Sequence, residues 1–192
     1  MPDKYDLTRV LDLEEEAKLL EYLAKHDIRD HVAAMFGLKA GLRIGELLQL
    51  QVRDLTVTDQ VTHELLLRKA TTKRHKQRWI PLNAELRQSI KNLIRWKKAK
   101  GESLDPEAPL LCNLKGDRPY GSRDYQRHLQ AAGWKVLGRR IIPHDLRHTF
   151  ATRLMRKGNI RALQELLGHT KLEYTQLYTH PNRQDLKDLV GP

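Results

Sequence analysis

Apolar residues recur at helical spacing along most of this chain and change to a two-residue period over one central stretch. From 13 to 25, Leu19, Leu20 and Leu23 alternate with acids as an amphipathic helix capped by Asp12. A second helix, capped by Asp30, has Val32, Met35, Phe36 and Leu38 as core and breaks at Ala40 and Gly41. Another starts at 42 and runs to 50, with Leu42, Leu47, Leu48 and Leu50 inward. Between 55 and 82 the period becomes two, and 55–57, 65–67 and 79–82 read as short antiparallel strands. Asn83 then caps a helix through 100, with Leu86, Ile90, Leu93, Ile94 and Trp96 on its buried side. Residues 101–109 read as a loop and 110–112 as a short packed run. Ser122 caps a helix carrying Tyr125, Leu129, Ala132, Trp134 and Val136. From 142 to 180 three short helical segments follow, separated by Gly158 and Gly168. Pro143 opens the first of these segments, Leu146, Phe150 and Leu154 form its stripe, and Asn159 caps the second.

The polar residues beside these stripes carry the candidate chemistry. His144 and Arg147 are three apart and so neighbours on one helix surface. His169 follows a helix-ending glycine, and Tyr178 lies nine residues further on. Any one of the four alone reads more readily as a half-buried packing residue. Taken together, they are a set able to converge on one anion, and a guanidinium matches a phosphate in bidentate fashion. The spacing of His144 and His148 is also that of two metal ligands on a helix face, but no Glu follows His144 and no cysteines cluster nearby. Upstream, Arg43 and Glu46 are three apart, either as a solvated ion pair or as a guanidinium held by its carboxylate.

The ordered runs H-D-L-R-H-T-F-A-T-R-L, L-L-G-H and T-Q-L-Y-T-H, preceded by A-G-L-R-I-G-E-L-L-Q-L, resemble the catalytic domain of the tyrosine recombinases, the phage integrase family. The resemblance runs from about residue 12 to the end. It implies an α+β fold, mainly α-helical, with a small three-stranded antiparallel sheet. It makes 1–192 a catalytic domain without the N-terminal core-binding domain of the family. Its catalytic set falls on Arg43, Lys73, His144, Arg147, His169 and Tyr178, with Glu46 in support. Lys73 occupies the family's lysine position in K-R-H-K-Q-R-W-I-P-L, and Lys76 is the alternative, because Thr72 and Arg74 stand where the family often has glycines. The basic segment 71–78 becomes a hairpin tip projecting into a DNA groove. Arg74, His75, Lys76 and Arg78, with Arg123, Arg139 and Arg140, are the expected DNA contacts.

The implied activity is site-specific recombination, in which Tyr178 cleaves DNA and forms a covalent 3′-phosphotyrosine. Neither metal nor other cofactor is expected. The implied assembly is a tetramer on double-stranded DNA, with a monomer in its absence. Charge agrees with such a partner: 35 Lys and Arg against 24 Asp and Glu leave a formal net charge of +11 over 192 residues. The single cysteine, Cys112, has no disulfide partner within the chain, and no apolar stretch has the length of a membrane helix. A cytoplasmic protein without membrane contact is expected. Two alternatives share the fold or the chemistry: a DNA-binding regulator that does not cut, and a type IB topoisomerase-like relaxase. A basic RNA-binding protein of unrelated fold would leave the ordered runs to coincidence.

Overall fold

In the computed structural model, residues 10–58, 60–68, 77–113, 115, 116, 118–156 and 160–168 are described. The first helix, α1 (Leu13–His26), begins in a reciprocal cap. Asp12 accepts from the Glu15 backbone at 2.8 Å, and the Glu15 carboxylate accepts from the Asp12 backbone at 3.1 Å. The next, α2 (Ile28–Ala40), is buried nearly all round, so it forms the centre of the molecule rather than one wall of it. Against it pack α1, α4 (Ala84–Lys100), α5 (Ser122–Leu137) and α6 (Pro143–Met155). The approach of α6 is close at Gly37, where a Cβ would stand 2.9 Å from the Cβ of Leu146.

Two expected caps are displaced. Asp27, not Asp30, caps α2, accepting from the Arg29 backbone at 2.9 Å. Asp30 lies in the first turn and faces inward, where Tyr120 donates its hydroxyl at 2.7 Å and the His128 ring lies 2.8 Å away. Burial, more than any neighbour, raises its pKa. Gly121 stands at the cap position of α5, and Ser122 is its first helical residue. Trp134 is 60% exposed. The buried stripe of α5 is Tyr125, Leu129 and Ala132, and residue 134 lies two positions on, toward the opposite face.

Instead of a helix from 42 to 50 there is a single turn, α3 (Ile44–Leu47). The chain then leaves helical geometry because a distant segment takes its backbone groups. Leu110 donates to the Leu50 carbonyl at 2.8 Å, Val52 to Ala108 at 3.0 Å and Arg53 to Pro106 at 2.9 Å. The 3₁₀ turn Val52–Asp54 follows. Sheet structure among the described residues is antiparallel but divided into two ladders of two strands each. The strand β1 (Thr56–Val57) pairs with β2 (Gln60–Val61), a partner that alternation over two residues could not reveal. The other ladder joins β3 (Glu64–Leu67) to β4 (Arg78–Pro81), with Leu65 opposite Ile80 and Leu67 opposite Arg78. The segment between them, 69–76, lies outside the described residues.

One large core joins α1, α2, α4, α5 and the ladders. A smaller apolar cluster, Ala151, Leu163 and Leu167 with Phe150, Leu154 and Met155, seats α7 (Ile160–Leu167) on α6. No helix among the described residues is long and apolar enough to cross a membrane.

Gly41 ends α2 at φ +63°, and a Cβ there would lie 2.4 Å from the Phe150 ring. Gly41→Ala combines a left-handed backbone with overpacking where α2, α6 and α7 meet. A loss of about 2–4 kcal/mol is expected in urea denaturation. An unchanged midpoint would mean that the α2–α6 contact yields more easily than this geometry allows.

Candidate active site

Arg43 occupies the cap position of α3, directly after the left-handed Gly41 and the buried Leu42. The Glu46 carboxylate one turn later accepts from the Arg43 backbone N–H at 3.0 Å and from its guanidinium Nη1 at 3.1 Å. The same carboxylate receives Arg78 from below, Nη1 at 3.1 Å and Nη2 at 2.8 Å. Glu46 is 3% exposed and Arg78 5%, whereas the Arg43 side chain is 39% exposed. Burial opposes ionisation of Glu46, but the hydrogen bonds and charge of Arg78, with those of Arg43, outweigh it and hold the carboxyl below its ordinary range.

Arg147 comes from the opposite wall, one turn into α6, and is 2% exposed. It donates to the Gly41 carbonyl through Nη1 and to the Leu167 carbonyl through Nη2 at 2.9 Å. Arg43 Nη1 approaches that same Leu167 oxygen at 3.4 Å. Arg78 Nε donates to the Leu166 carbonyl at 2.8 Å. Three guanidiniums from three elements therefore converge on the last carbonyls of α7. A helix C-terminus presents unpaired acceptors and the negative end of its dipole at that point, so cations are favoured there. Gly168 then turns the chain at φ +63°.

His144 is exposed in the first turn of α6, one turn ahead of Arg147. Asp145 beside it accepts from the Ile142 backbone at 2.9 Å and holds the helix start. Among the expected catalytic residues, Arg43 and Arg147 are thus brought to one oxygen, with Glu46 behind Arg43 and His144 on the helix of Arg147. Lys73, His169 and Tyr178 lie outside the described residues, as do Arg74, His75 and Lys76.

The remaining expected DNA contacts divide. Arg123 and Arg140 are exposed at the two ends of α5. Arg139 is paired with Glu15 through Nε at 3.0 Å and Nη2 at 2.9 Å, which ties α1 to the end of α5. Arg78 faces inward rather than toward a groove. Strand alternation accounts for this: Arg78 and Ile80 point to the core while Trp79 and Pro81 point out. That period was readable in R-W-I-P-L, and an inward arginine on a strand requires a buried anionic partner.

A model of the phage integrase family matches residues 9–185, and the chain belongs to this family as a tyrosine recombinase catalytic domain. The tyrosine recombinase XerC of Pseudomonas fluorescens is 33% identical over 187 residues, which cover 97% of this chain and 58% of the relative. XerA of Pyrococcus furiosus is 34% identical over 185 residues, covering 96% of this chain and 61% of that one. The chain therefore spans about three fifths of these relatives' length. Among solved structures, XerA recombinase superposes with a TM-score of 0.78 at 26% identity, over 94% of this chain and 63% of that chain. XerH bound to palindromic difH substrate, in a post-cleavage complex, superposes at 0.75 and 27% identity, over 94% of this chain and 52% of the other.

Proposed function

We propose that residues 1–192 form the catalytic domain of a site-specific DNA recombinase acting in the cytoplasm, which cleaves and rejoins strands through a 3′-phosphotyrosine on Tyr178. The observation that carries this reading is the convergence of Arg43 and Arg147, distant in sequence, on one acceptor oxygen. Donors so fixed suit the non-bridging oxygens of a scissile phosphate, where negative charge grows during in-line attack. The XerH complex with its difH substrate supports DNA as the partner.

In this mechanism the Tyr178 oxygen attacks phosphorus, the P–O5′ bond breaks, and a phosphotyrosine bond replaces it. His144 assists removal of the phenolic proton, and His169 donates to a phosphate oxygen beside the two arginines. Lys73, with Lys76 as the alternative, supplies the proton to the departing 5′ oxygen. Glu46 orients Arg43. Fixed cations perform the charge neutralisation that metal ions perform in other phosphoryl-transfer sites, and one phosphoester is exchanged for another, so the scheme calls for neither metal nor ATP. A 5′ hydroxyl from a second duplex reverses the attack and completes strand exchange, within a tetramer assembled on DNA.

A nicked suicide duplex tests this directly. The wild-type protein should form a covalent protein–DNA adduct in the presence of chelator, and Tyr178→Phe should abolish it while leaving DNA binding intact. Binding without any adduct would favour the non-cleaving regulator. Relaxation of supercoiled plasmid without recombinant product would favour the topoisomerase-like alternative.

A further inference from the structure

Arg78 lies outside the catalytic set, yet it touches the carboxylate that holds Arg43 and the end of α7. It is the first residue of β4, the strand that leads out of the basic segment containing Lys73 and Lys76. Its Nη1 and Nη2 hold the carboxylate that orients Arg43. Its Nε holds the Leu166 carbonyl, two residues before Gly168. A Cβ on Gly168 would come 3.0 Å from Arg78 Nη1, so the chain passes directly against this guanidinium one residue before His169.

We propose that Arg78 is a positioning residue for strand cleavage: one buried guanidinium that fixes the α3 turn, the exit of α7 and the base of the lysine-bearing hairpin relative to one another. This rests on the recombinase reading above. The geometry requires a planar fork, because two parallel N–H groups serve Glu46 while Nε, on the adjacent edge, serves the Leu166 carbonyl. A lysine ammonium is a point charge and cannot serve both partners from one place. Arg78 neutralises a carboxylate as buried as itself, so it could take a DNA phosphate only by leaving the Glu46 charge uncompensated. Its influence on DNA chemistry therefore passes through Arg43 and His169.

Arg78→Gln and Arg78→Lys test this on the nicked duplex, with binding and single-turnover cleavage measured separately. The half-saturating DNA concentration should stay within about twofold, and its salt dependence should be unchanged, because no phosphate contact is lost. Cleavage at saturating DNA should fall by about 100-fold in Arg78→Gln, the loss associated with misplacement of reacting groups by about 1 Å. Arg78→Lys should recover only part of this. Adding His169→Ala to Arg78→Gln should cost less than His169→Ala alone, because the histidine is already displaced. Wild-type cleavage by Arg78→Gln at saturation would overturn the proposal, as would a defect confined to affinity with a shallower salt slope.

A melting-temperature cycle of Glu46→Gln, Arg78→Gln and the double variant reads the buried tie without any activity, and Arg78→Lys replaces Arg78→Gln in it if the latter does not fold. Non-additivity is expected, and additive shifts would overturn the tie whatever the cleavage result. Should wild-type protein give no adduct while the cycle is non-additive, the recombinase reading fails and the positioning role fails with it, leaving Arg78 as a structural bridge.

Discussion

Arg147→Lys lowers single-turnover cleavage of a nicked duplex by about 100- to 1,000-fold, the range associated with removing one fixed donor from a developing oxyanion. Lysine keeps the charge, so a purely electrostatic role for residue 147 would leave most of the rate intact. Arginine does more than carry charge here. Its Nη1 reaches the Gly41 carbonyl while Nη2 reaches the Leu167 carbonyl, the same oxygen that Arg43 Nη1 approaches. A single ammonium on a flexible stem cannot hold both edges, and the donor that remains is free to wander. The loss should fall on the rate at saturating DNA, with affinity changing far less, because Arg147 is 2% exposed and makes little of the general backbone contact. Near wild-type cleavage in Arg147→Lys would show that the shared carbonyl does not mark the place of the phosphate.

Glu46→Gln is expected to be the most destabilising single change at the site. Its carboxylate is 3% exposed and neutralises Arg78, which is nearly as buried, as well as supporting Arg43. Removing one partner of a buried ion pair leaves an uncompensated charge, at a cost of about 3–5 kcal/mol. Urea denaturation at neutral pH should show that loss. The same carboxylate makes a defined contribution to acid sensitivity. Its folded pKa lies below the ordinary value of 4.5, so the stability it adds is fully present above 4.5 and is lost as pH falls through the lower folded value. The gap between wild type and Glu46→Gln should therefore be widest near neutrality and narrow in acid below 4.5. A gap that widened on acidification would mean that Arg78 and Arg43 do not stabilise the ionised carboxylate.

The helices and some of their caps were readable because they depend on residues close in sequence. Asp12 with Glu15, Asn83 with Leu86, and Pro143 at a helix start are local arrangements, and each stands where the pattern places it. Expectations failed where distant segments compete for backbone or burial. The helix from 42 to 50 is cut to one turn because 106–110 takes the following backbone groups. Asp30 is a good capping residue turned inward to Tyr120 and His128. Arg78 shows the same limit within the site. Its place in a basic run suggested DNA, and only the inward phase of a two-residue period distinguished it from its neighbours.

Residue order was enough to nominate candidates for the site, since the runs around Arg43, His144 and Arg147 are contiguous stretches of chain. It was enough as well for the helical class and the basic charge, which rest on composition and on periods of a few residues. What no local pattern contains is that Arg43, Arg78 and Arg147 meet at the end of α7. That meeting depends on the close approach of α6 to α2 at Gly37 and on the small cluster seating α7 on α6. Packing across long sequence separations fixes where an oxygen can accept from two guanidiniums at once, because directional donors hold their geometry only when the elements that carry them are themselves close-packed.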